Sequence, residues 1–154
     1  MRSKLIIPAT LATGLAIAAC GGGGGGTGSH PAGRGPGRPV RTYHVKLSGK
    51  AINPPGAPKG SGAAVIALHH HDLVCFRFAH LHGFSGPTAA YLGRGTKGQQ
   101  GKVVLHLSRS SVVHHKGCAR ASRALGASLE RKPAGYFVAI VTKQYPKGAV
   151  GGQL

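Results

Sequence analysis

The last twenty residues, Gly135-Tyr-Phe-Val-Ala-Ile-Val-Thr-Lys-Gln-Tyr-Pro-Lys-Gly-Ala-Val-Gly-Gly-Gln-Leu154, decide how the rest of the chain reads. From Tyr136 to Thr142 aromatic and β-branched residues crowd together, the composition of a strand largely covered on both faces. Tyr145-Pro146-Lys147-Gly148 follows with turn chemistry. Proline presets φ, and glycine accepts the positive φ that a tight reversal often demands. Ala149 to Leu154 then reads as a short return strand. The two strands make a β-hairpin, so the chain closes as a β-rich domain.

Upstream of the hairpin, short β-like runs alternate with Gly, Pro and Ser punctuation. Tyr43, Val45 and Leu47 alternate with polar neighbours, which suits a half-buried strand. Pro54-Pro55-Gly56-Ala57-Pro58 is a loop. Gly62 to Leu68 is a small aliphatic strand, and His69-His70-His71-Asp72 connects it to another from Leu73 to Leu81. Thr88–Leu92 and Lys102–Leu107 add two more. Strands at this spacing predict an antiparallel sandwich or barrel. One segment departs from the pattern: Ala119 to Lys132 is alanine-rich, sets Leu125 and Leu129 four apart and stops before Pro133, the signature of a short amphipathic helix.

Three stretches carry a family resemblance. Tyr145-Pro-Lys-Gly-Ala-Val150, followed one residue on by Gly152-Gln153-Leu154, resembles the ending of CHRD domains, a family named after chordin. Tyr43-His-Val-Lys-Leu-Ser-Gly49, with Asn53-Pro54-Pro55 soon after, is similar to the family's opening strand and loop. Pro87-Thr-Ala-Ala-Tyr-Leu92, with Gly101 before Val103-Val104-Leu105, resembles its central segment. The resemblance runs from about Thr42 to Leu154 and implies an immunoglobulin-like or superoxide dismutase-like antiparallel β-sandwich with one short helix before the last hairpin. Family members typically carry His-Ile-His where this chain has Tyr91-Leu92-Gly93, and a histidine where it has Val141. An imidazole constellation built on those positions is not expected here.

The amino-terminal region reads differently. Arg2 and Lys4 precede an apolar run from Leu5 to Ala19, too short for a comfortable membrane span and ending in small residues, as export signals do. Ile17-Ala18-Ala19-Cys20 has the form of a bacterial lipobox, which makes residues 1–19 a lipoprotein signal peptide and Cys20 the lipidated amino terminus. Several acyl chains on one residue give stable anchoring where one chain is marginal. Residues 20–41, with an unbroken glycine run from Gly21 to Gly26, bury too little apolar surface to order and read as a tether. About twenty such residues have an r.m.s. reach of roughly 25 Å. Residues 42–154 form the domain. The expected location is the cell envelope, outside the cytoplasm.

Lys and Arg number 20 against two acids, a formal charge of +18. Such an excess suits anionic lipid, acidic envelope polymer or nucleic acid, or simply sets solubility. No nucleic-acid fold signature accompanies it, so no specific nucleic-acid partner is expected. Asp72 and Glu130 are the only carboxylates of the side chains, and they lie in unrelated segments. Paired-carboxylate hydrolysis needs two side by side. No nucleotide loop, nucleophile elbow or zinc-protease helix is present either, and no cofactor is expected.

With Cys20 assigned to lipid, Cys75 and Cys118 remain as an even pair in an exported domain, where oxidation is the rule. Their bond is expected to staple the helix to the sheet. The ten histidines leave two readings open. His80 and His82, two apart, point to one face of a regular strand and with a third donor make a Cu or Zn site; His69, His70 and His71 form a loop cluster capable of weak chelation. Equally, all of them decorate the surface. The expected function is a non-enzymatic, lipid-anchored envelope domain with a binding or structural role. The alternatives are a metal-binding module and an electrostatic binder of anionic polymers. Its partners are the membrane, through the lipid, and an anionic polymer or an extracellular protein.

Overall fold

A computed structural model describes residues 37–96, 101–109 and 113–154. The segment expected to be a signal peptide, Cys20, and most of the expected tether lie outside the described residues. Eight antiparallel strands follow: β1 (Arg41–Ser48), β2 (Ser61–His69), β3 (Leu73–His82), β4 (Pro87–Arg94), β5 (Val103–Ser108), β6 (Lys116–Arg120), β7 (Tyr136–Thr142) and β8 (Val150–Gln153). One helix, α1 (Arg123–Arg131), precedes the last hairpin. The mainly β, antiparallel class read from the sequence is the class the chain adopts.

Alternation builds the core. Val45 and Leu47 from β1, Ala64, Ile66 and Leu68 from β2, and Val74, Phe76 and Phe78 from β3 all turn inward and are buried. Ala90 and Leu92 of β4, Val138 and Ile140 of β7 and Val150 of β8 meet them from the other side. Fully burying each large aliphatic side chain contributes about 1.5–3 kcal/mol. The strand β7 is covered on its second face as well, where Phe137 and Ala139 pack with Ile52 and Tyr91. That double burial is why its sequence is apolar without alternation.

The strands follow one hydrogen-bonded order, β5-β4-β7-β8-β1-β2-β3-β6. The two halves meet at a single register pair, Ser48 with Gly151. At the other side the edge strands β5 and β6 approach one another, so the sheet is nearly closed into a barrel. The sequence predicts two facing sheets. The observed order is one sheet, because the short β8 reaches β1 as well as β7 and carries the hydrogen bonding across.

The helix is shorter than predicted at its start. Ser122 caps it, its hydroxyl accepting the Leu125 amide at 3.2 Å. Leu129 is fully buried and Leu125 partly so, and the Tyr43 hydroxyl donates to the Leu129 carbonyl at 2.9 Å. Ala119 and Arg120, where composition predicts helix, belong to β6. That strand offers no apolar alternation to read: its sequence is Lys-Gly-Cys-Ala-Arg.

Candidate binding surface

Cys75 and Cys118 are disulfide-bonded, with Cα atoms 3.9 Å apart. They are direct register partners on β3 and β6. The bond therefore ties an edge strand to its neighbour and does not staple the helix to the sheet, which corrects the expected geometry. The reason is the position of Cys118 inside β6, four residues before the helix cap. Cys118 is exposed and Cys75 partly buried, on the outer face of the sheet.

That outer face has a consistent chemistry. Register places Thr42, Ala67, Cys75 and Cys118 in one row across β1, β2, β3 and β6. The adjacent row is His44, Val65, Arg77 and Lys116. Small apolar groups occupy the middle of both rows, and exposed cationic side chains rise at β3 and β6. An open trough of about 680 Å³ follows these residues, His44 excepted. None of the outward side chains of these four strands is acidic. The two carboxylates lie elsewhere: Asp72 and Glu130 line a cavity of about 200 Å³ with His69 and Arg123.

The histidines are dispersed. His69 ends β2, half-buried, and its Nδ1 is a buried atom without a hydrogen-bond partner. His70 and His71 are exposed in the β2–β3 turn, where His71 and Asp72 take φ of 61° and 60°. His69, His70 and His71 border a second cavity, about 370 Å³, with Arg38 and Arg120. The register between β2 and β3 shifts by one residue where Ser61 opposes His82 and Ala63 opposes Ala79. His80 sits in that bulge at φ 52°, so His80 and His82 lack the regular period-two relation assumed for a shared face. His82 instead hydrogen-bonds the Ser61 hydroxyl, Nε2 to Oγ 2.8 Å. Among the described residues no three His, Cys, Asp or Glu side chains are grouped to hold a metal ion.

At the positions where the family resemblance implies imidazoles, an apolar cluster stands. Tyr91 and Phe137 meet edge to face with ring centroids 6.1 Å apart, and Ile52 packs against them. A Cβ at Gly93 would fall on the Phe137 ring, so a side chain at 93 and this placement of Phe137 exclude each other. Burial pushes the Tyr91 phenol above its ordinary pKa. On the core side, the buried Tyr136 hydroxyl donates to Ser128 Oγ at 2.7 Å and accepts from Arg94 at 3.1 Å. Burial raises that phenol, but the bonds to Ser128 and Arg94 outweigh it, and the net shift is downward.

Sequence reasoning missed the trough, because it exists only once β6 lies beside β3. The signal available was the Cys75–Cys118 pair itself, which would have put Lys116 and Arg120 beside the third strand.

The fold and this surface define a small, disulfide-crosslinked antiparallel β-domain with a strongly cationic outer face. Residues 43–154 match the CHRD domain, and the chain belongs to that family. Comparisons with curated proteins and with solved structures returned no match.

Proposed function

We propose that the protein is a non-enzymatic binding or structural domain displayed in the cell envelope, tethered through lipid on Cys20. The observation that carries the reading is the Cys75–Cys118 disulfide at an exposed position. Such bonds persist in oxidising compartments and are kept reduced in the cytosol. Membership of the CHRD domain family supports a binding or structural role. The lipobox at Ile17–Cys20 and the glycine-rich run after it supply the anchor and the spacer.

The test is metabolic labelling of expressing cells with an alkyne-tagged fatty acid, followed by fractionation. Wild-type protein is expected in the membrane fraction and labelled; Cys20→Ser is expected unlabelled and soluble. A wild-type chain without label, recovered in the cytosol with free thiols at 75 and 118, would sink the reading.

A further inference from the structure

The register pair Arg77–Lys116 sets two cations directly opposite each other on the outer face. Like charges in that relation are destabilising, and no carboxylate stands on this face to offset them. Beside the pair, the floor formed by Val65, Ala67 and the disulfide is apolar and partly open to solvent. The four strands it crosses span roughly 14 Å at the usual strand spacing. A cationic clamp next to a shallow apolar floor is chemistry for one kind of guest.

We propose that this trough binds a small organic anion with a flat apolar body. Its acidic group lies between Arg77 and Lys116, and its body covers Val65, Ala67 and the Cys75–Cys118 bond. The guanidinium supplies planar, two-pronged donation to a carboxylate, sulfonate or phosphate, and the ammonium a point charge. The anion relieves the repulsion between the two cations, while the body removes apolar surface from water. A simple polyanion would leave the floor unused. A bilayer suits it less well, because Val65 and Ala67 are short, half-buried side chains beside the longer, exposed Arg77 and Lys116. The proposal deepens the binding role given above and rests on it, but not on the lipid at Cys20.

The probe is naphthalene-2-sulfonate, titrated into the full chain carrying Cys20→Ala and followed by methyl NMR. Saturable one-to-one shifts are expected for Val65 and Ala67, with the buried Val138 methyls unmoved. Arg77→Gln combined with Lys116→Gln is expected to weaken binding at least tenfold with methyl dispersion retained; Lys143→Gln and Arg131→Gln are expected to change it less than twofold. Sulfate, which has the charge without the body, is expected to bind at least tenfold more weakly. Equal affinity for sulfate, or equal loss in the control variants, would mean general attraction to a basic protein and overturns the site. So would Val65 and Ala67 shifts produced by phosphatidylglycerol vesicles and not by the sulfonate. Loss of probe binding with Cys20 lipidation intact removes only the trough; unlipidated Cys20 with binding intact removes only the anchor.

Discussion

Gln153 shows how one side chain can organise a chain end. Its amide nitrogen donates to the carbonyls of Ala134 at 2.8 Å and Gly95 at 3.1 Å, and also to that of Tyr136. One residue thus joins β8 to the entry of β7 and the exit of β4. Removing the donor leaves carbonyls in part-buried surroundings without it, a loss of about 1–3 kcal/mol. Gln153→Ala is therefore expected to lower denaturant stability by that amount, and a midpoint unchanged in urea unfolding would refute the role. Next to it, a Cβ at Gly152 would fall on the Lys46 carbonyl and the Val45 side chain, because β8 passes that closely along β1. His106 makes a pH prediction. Its ring is exposed, yet partial desolvation first and the Arg109 charge second hold its pKa below the ordinary value of 6.5. Its folded form resists protonation more than its unfolded form does. Its contribution is thus present above pH 6.5 and is lost as pH falls through the folded pKa. His106→Gln should flatten that acid-side slope of the stability profile, as followed by thermal melts between about pH 7 and pH 4.

Among the elements, β6 depends most on a covalent link. It is five residues long, lies at a sheet edge and presents only Gly117 and Ala119 toward the interior side. The disulfide closes a separation of 43 residues, worth about 4 kcal/mol on the chain-entropy account. Cys75→Ala with Cys118→Ala should lose about 3–4 kcal/mol, and hydrogen exchange should accelerate first in β6. Uniform exchange across the sheet in that variant would show that the bond does not hold the edge locally. The helix makes a smaller prediction: Ser122→Ala removes its cap and should cost about 1 kcal/mol in chemical denaturation. These elements were unequally legible. The strand Tyr136–Thr142 follows from composition alone, since burial on both faces selects apolar and β-branched residues. For Lys116–Arg120 composition was silent, and alanine-rich Ala119–Arg120 was absorbed into the helix that follows.

At the scale of the whole molecule, closure depends on β8. It pairs with β7 over four positions and touches β1 at Ser48–Gly151, so it joins the two halves of the sheet. Val150 is fully buried at that junction. A chain truncated after Gly148 should show no cooperative thermal transition, and a melt like that of the full chain would remove β8 from this role.

The sequence by itself determined the antiparallel β class, the closing hairpin, the existence of the helix, and the pairing of Cys75 with Cys118. Each rests on local composition or on the parity of a few residues, which a linear string displays. Only the tertiary structure decided that the disulfide links two strands, that a bulge at His80 breaks its relation to His82, and that Phe137 covers Gly93. It also gathered Arg77, Val65 and Ala67 of the β2–β3 hairpin and Lys116 of the distant β6 onto one face. Register between distant strands sets those neighbours, and register is a property of the packed sheet that no single strand carries.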